Sequence, residues 1–374
     1  MKGLLRFKGL LLVALALFAL LLLSSCKRDY EPVESTEEEK RVVMTLEFGG
    51  EKYEVRYELY YMLFMNNHQA VDGGDNSVWS GTDSEAYVDR MNEVILNRSA
   101  EIFSVIHHAK NLGIDPYSKE IEEDIYELVR IGVEGNGDNV QGHGTYEKYL
   151  ASLKEKNMNY AVQELLFRYS ILLTRLSEYY GGVEDAALGR LPGEFEVTRE
   201  NVKAYYDSDE CRRVLYVYFQ DGVRSLEQME GYRAKIAEKN DPAEVALYMI
   251  NLFSPVPDSV LIDRDTKGVS GTVIGRNELD GAIWGKYTDS VFSLAPGQTG
   301  EVITVTDDRT YYYIAYGVEK SDEHFDAFYE DVKASYIENE IGKALGSIAD
   351  SLRESARFTD GYESVDHSGA LTGK

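Results

Sequence analysis

Cysteine is nearly missing from this chain: Cys26 and Cys211 are the only two in 374 residues. Two cysteines allow at most one disulfide and no cysteine-based metal site, so stability has to come from an apolar core. Proline is also scarce, at 7, which excludes a Pro-rich spacer or a collagen-like repeat. Positive charge is the minority sign, with 39 Lys and Arg against 65 Asp and Glu, a net charge of −26. A surface that acidic repels phosphate backbones and excludes a nucleic-acid partner. No apolar run is long enough for a comfortable membrane span; the longest, Leu10–Leu23, has 14 residues.

Catalytic and metal motifs are absent too. His107 and His108 are adjacent on a helical pattern, about 100° apart, and cannot chelate jointly. His68, His143, His324 and His367 are scattered, so no metal is expected. The glycine-rich stretch 132–144 lacks the Lys-Ser/Thr ending of a phosphate loop, and Ser254 has no GxSxG context. No cofactor is expected.

What is present begins at the N-terminus. Lys2, Arg6 and Lys8 precede the apolar run, and Leu23-Ser24-Ser25-Cys26 follows it. A basic stretch followed by a short apolar core is an export signal. Small residues directly before Cys26 resemble a bacterial lipobox, which implies cleavage of residues 1–25 and lipid on Cys26. The mature chain is then an extracytoplasmic, lipid-anchored protein with a net charge of −26 − 3 = −29. An acylated Cys26 leaves Cys211 without a partner for a disulfide. Residues 26–41 read as the lipidated cysteine and a flexible polar tether.

Three blocks follow. Residues 42–205 begin with a hairpin pattern, VVMTLEFGGEKYEVR around Gly49-Gly50, with 68–82 as a loop. Most of 84–182 reads helical: Val88, Met91, Val94 and Ile95, then Ile102, Val105 and Ile106, recur at steps of three and four. Residues 206–320 alternate strand and helix signals: a strand over 214–219, helices over 225–239 and 242–252, strand runs near 272–274, 301–305 and 311–316, and a helix ending at Phe292. Residues 321–357 carry one apolar stripe from Phe325 to Leu352, read as a long helix returning to the helical block; 358–374 reads as a flexible tail. The expected class is α+β: a mainly helical domain, an inserted α/β module and a long C-terminal helix.

The middle block carries a resemblance. RRVLYVYF, two helices, GTVIG, IWGKYTDSVFSLAPGQTGEVI and TYYYIAYGVE, in that order, resemble a parvulin-type prolyl isomerase domain. The helical block with its leading hairpin resembles those of the SurA and PrsA foldases. The resemblance implies a foldase acting on unfolded or newly exported polypeptides. It also implies a proline pocket made by Ile274, Ile283, Tyr287 and Phe292. The two histidines usual in that family fall on Val214 and on Tyr313 or Tyr312, so the polar centre is degenerate. The family's catalytic Cys or Asp falls on Asp265, with Asp258 as a rival, and the hydroxyls of Tyr312, Tyr313 or Tyr316 are candidates for the polar role. With Asp265 and Tyr313 as the catalytic pair, the module is an isomerase; without a working polar centre it is a holdase that binds extended segments.

Overall fold

The computed structural model describes residues 30–137, 140–182, 197–252, 271–277, 288–306 and 310–372. The chain is α+β and divides into two compact units. One comprises, of the described residues, 30–179 and 344–372; the other comprises 180–182 and 197–343. Among the described residues no helix is long and apolar enough to cross a membrane.

The first unit opens with the hairpin β1 (Val42–Phe48) and β2 (Glu51–Arg56). Gly49 and Gly50 turn it, with φ of 61° and 81°. That left-handed backbone favours glycine, and a Cβ on Gly49 would also press to 3.0 Å from the His107 ring. Five helices follow: α1 (Tyr57–Asp72), α2 (Ser84–Asn111), α3 (Lys119–Glu134), α4 (Tyr146–Glu155) and α5 (Tyr160–Tyr180). Ser118 and Thr145 cap α3 and α4 by accepting from Ile121 N and Lys148 N, which fixes where each starts. Met91, Ile95, Ile102, Val105 and Ile106 are buried along α2, as the three-and-four spacing requires.

Three expectations for this unit need correcting. The loop over 68–82 is helix to Asp72, then a 3-10 turn over Asn76–Ser80. Asp72 organises it by accepting from Trp79 Nε1 (2.7 Å) and Gly74 N (2.7 Å) and pairing with His68 Nδ1 (2.8 Å). Burial alone would raise the Asp72 carboxyl; these hydrogen bonds outweigh it and hold the group below its usual range. The polar stretch 30–41 is not a free tether. Tyr30 packs its ring 5.4 Å from Tyr146 and 6.1 Å from Tyr126, and donates to Glu134. Nor are residues 358–372 a loose tail. The strand β7 (Arg357–Phe358) pairs with β1, giving the order β2-β1-β7. His367, which opens a short helix over 367–372, sits among the Tyr60, Phe64, Trp79 and Tyr362 rings and hydrogen-bonds Tyr60 Oη at 2.8 Å. Aromatic residues spaced too widely to show a helical stripe hold this segment, so periodicity missed it.

The second unit starts before the expected boundary at 205/206. Its first described helix, α6 (Arg199–Asp207), buries Val202, Tyr205 and Tyr206 against Cys211, Val273, Phe325 and Val332. Then come β3 (Cys211–Gln220), α7 (Leu226–Ala237), α8 (Pro242–Asn251), β4 (Thr272–Gly275), α9 (Thr288–Phe292), β5 (Ile303–Thr306) and β6 (Thr310–Val318). The single long C-terminal helix is two: α10 (Asp322–Ala327) and α11 (Tyr329–Ser355), broken at Phe328 with φ −122° and ψ 27°. There the Phe328 ring lies 4.8 Å from His324. Residues to Lys343 belong to this unit, and α11 from Ala344 belongs to the first.

The sheet is antiparallel throughout, in the order β4-β3-β6-β5. One face is roofed by α7 and α8: Leu215, Val217, Phe219, Tyr312, Ile314 and Tyr316 meet Met229, Ile236, Val245 and Met249.

The histidines predict a pH response. Burial pushes His108, in α2, down to about 4 from its ordinary value near 6.5. The unfolded chain therefore takes up a proton on His108 below about pH 6.5 that the folded chain refuses until about pH 4. Stability is lost as pH falls through that window, by up to about 3 kcal/mol. The urea midpoint should fall between pH 7 and pH 5, and His108→Leu should flatten that slope; an unchanged slope in the variant contradicts the assignment.

Candidate functional site

The site lies on the other face of the same sheet. Alternation along β3 and β6 sends Leu215, Val217 and Phe219 under the helices. Val214 and Tyr218 therefore go to the opposite face, where they meet Tyr313, Ile274, Val305, Val291 and Phe292. Tyr218 and Tyr313 are direct cross-strand partners, stacked at 5.2 Å with planes 24° apart. Tyr216 stacks next to Tyr218, and Tyr311 lies beside Tyr313, each pair at 6.3 Å. Ile303 on β5 pairs with Tyr313. Tyr216, Tyr218, Tyr311 and Ile303 are only half-buried, so part of their apolar and aromatic surface stays exposed.

Phe292 closes the end of α9 over this face. Two guanidinium groups flank its ring: Arg276 at 4.2 Å and Arg212 at 5.1 Å from the ring centre. The turn after it, Leu294 to Gly300, is bound back to β6. Gly297 N donates to Gly317 O at 2.8 Å, and Gly300 N to Ala315 O at 2.8 Å. Gly317 is required there, because a Cβ would lie 2.4 Å from Ala295 O. Between α9, this turn and the sheet, the described residues leave a recess of about 10 Å³ lined by Tyr216, Ser290, Val291, Glu301, Ile303 and Tyr313. That is room for about one water molecule.

The sequence-chosen residues divide as follows. Ile274, Phe292 and Tyr313 come together in one cluster, with Val214. Tyr313 is 2% exposed. Of the two alternatives for the last-strand position, Tyr313 shares the face of Val214, whereas Tyr312 and Tyr316 point under the helices and cannot serve this face. Asp265, its rival Asp258, Ile283, Tyr287 and Cys26 lie outside the described residues. Tyr216, Tyr218, Tyr311 and Ile303 went unchosen. The i, i+2 recurrence of tyrosine in LYVYF and TYYYIAY is the signal for the three tyrosines; Ile303 carries none.

No family model matches this chain, and no curated protein matches it. Among solved structures, it is similar to the foldase protein PrsA of Streptococcus pneumoniae at 14% identity and TM-score 0.26, over 83% of this chain and 92% of that one. The PrsA structure from Lactococcus lactis is similar at 11% identity and TM-score 0.24, over 89% and 98%. The one from Bacillus subtilis is similar at 14% and 0.23, over 73% and 87%. Likeness at these scores leaves the functional reading to this chain's own residues.

The packing sets an order of sensitivity. Phe292→Ala should lower the stability of this unit by about 3–5 kcal/mol, because a buried ring is lost from under two cations. Tyr218→Phe, which keeps the stacked ring, should cost under about 1 kcal/mol. Chemical denaturation measures both, and the reverse order contradicts this account of the site.

Proposed function

We propose that the chain is a membrane-anchored, extracytoplasmic foldase of exported proteins, with a parvulin-type prolyl isomerase module at residues 206–320. The observation that carries this reading is the gathering of Ile274, Phe292 and Tyr313 on the sheet face that α7 and α8 leave uncovered. The order of elements around it, strand, two helices, strand, helix and two closing strands, supports the same reading.

Rotation about an X–Pro bond meets a barrier of about 18–20 kcal/mol set by amide resonance. A module lowers it by gripping the proline ring against apolar side chains and by offering hydrogen bonds that favour the twisted amide. Ile274 and Phe292, joined by Ile283 and Tyr287, take the first role. Asp265 and the hydroxyl of Tyr313 take the second. Neither a covalent intermediate nor a cofactor is needed. Cys26 carries the lipid that holds the acidic body at the membrane.

One observation favours a second reading, a holdase without isomerase activity. The half-exposed row of Tyr216, Tyr218 and Tyr311 suits an extended apolar segment.

A proline-limited refolding assay with the mature chain separates the two. Isomerase activity predicts acceleration that falls about tenfold or more in Asp265→Ala or Tyr313→Phe, the cost of losing about one hydrogen bond in the transition state. Suppressed aggregation of an unfolded client without acceleration selects the holdase; neither effect overturns both readings. For the anchor, Cys26→Ala should move the chain from the membrane to the soluble fraction, and the wild-type N-terminal peptide should carry the mass of a lipid.

A further inference from the structure

The short polar segment after Cys26 is fastened to the helical unit almost as soon as it begins. Tyr30 inserts its ring beside Tyr126 of α3 and Tyr146 of α4, and joins the cluster of Val129, Val133 and Tyr149. Its hydroxyl donates to Glu134 at 2.7 Å, and Tyr146 Oη donates to the Glu31 carbonyl at 2.6 Å. Further along, Ser35 Oγ donates to Glu58 at 2.5 Å, and Asn159 Nδ2 donates to Glu58 and Glu39 at 2.7 and 3.2 Å. Thr36 and Glu39 exchange backbone-to-side-chain hydrogen bonds of 2.7 and 3.2 Å. Two separate sets of contacts thus hold residues 30–41.

Geometry then fixes the distance to the anchor. From Cys26 to Tyr30 the backbone reaches at most about 14 Å when fully extended. Were the segment free as far as Val42, it would reach roughly 55 Å at full extension and about 22 Å on average. We propose that Tyr30 makes the α3–α4 end of the helical unit the membrane-facing end, held within about 14 Å of the lipid headgroups. The partner of this surface is the bilayer into which the Cys26 lipid inserts. This inference rests on the lipid-anchored reading above.

The test uses the full mature chain in phosphatidylethanolamine–phosphatidylglycerol vesicles. Mass analysis of the N-terminal peptide first establishes whether Cys26 carries lipid; a chain without lipid overturns the anchored reading itself, and this proposal with it. With lipid present, a donor dye on Lys148→Cys, an exposed position on α4, reports transfer to acceptor headgroups. Cys211 is buried and does not compete for the dye. Three chains are compared: the otherwise native one, Tyr30→Ala, and one with a 20-residue Gly/Ser insertion between Arg28 and Asp29. The insertion leaves the folded body unchanged. Transfer should be high in the native chain and fall at least twofold in both Tyr30→Ala and the insertion. Equal transfer in all three, or a Tyr30→Ala value matching the native chain, overturns the proposal while leaving the anchor standing.

Discussion

The pairing of β3 with β6 is the constraint on which the middle unit depends. Eight residue pairs run in register from Arg213–Val318 to Gln220–Tyr311. Because side chains alternate, that register decides in one step which tyrosines lie under α7 and α8 and which lie on the opposite face. Tyr312 and Tyr316 go under α7 and α8; Tyr311 and Tyr313 go to the other face with Tyr218. A slip of one residue would exchange the two sets and take Leu215, Val217 and Ile314 out of the α7–α8 core. The α7–α8 core, with Met229, Ile236 and Val245 fully buried, therefore fixes the candidate site from behind without touching it.

The turn between α9 and β5 connects this register to the site. Its hydrogen bonds run to β6 at Ala315 and Gly317, one residue to either side of the buried Tyr316. The same strand that presents Tyr313 thereby positions Phe292, and the lack of a Cβ at Gly317 lets the turn close so tightly. Arg212 comes from β3 and Arg276 from the end of β4, so the cations beside Phe292 are placed by the sheet as well. Each guanidinium also pairs with a carboxylate, Arg212 with Asp209 at 3.3 Å and Arg276 with Asp289 at 3.7 Å.

Much of this was legible in the sequence for physical reasons. Periods of 2 and 3.6 report burial directly, so the hairpin, α2 and the strands of the middle unit stood out. The VFSLAPGQTGEVI segment announced a helix, a turn and a strand, and these are the elements observed. Contacts between aromatic residues far apart in sequence were not legible. Tyr30 with Tyr146, and His367 with Phe64 and Trp79, obey no period, so two held segments read as loose ones. The break at Phe328 was hidden because its apolar side chain continues the stripe while its backbone does not. At the site, the family resemblance directed attention to single positions. The row of Tyr216, Tyr218 and Tyr311 was visible only as strand alternation whose outward half carries aromatic rather than polar residues.

We propose that the face of the β4-β3-β6-β5 sheet opposite α7 and α8, where α9 packs, receives proline-containing segments. The most direct measurement is nuclear magnetic resonance of the mature chain with a short apolar Ala-Pro peptide, reading chemical-shift changes on the protein and cis–trans exchange on the peptide together. The account predicts shifts at Ile274, Phe292, Ile303 and Tyr313, with faster exchange of the peptide. Shifts confined to the α7–α8 side of the sheet, or none at all with exchange unchanged, would contradict it.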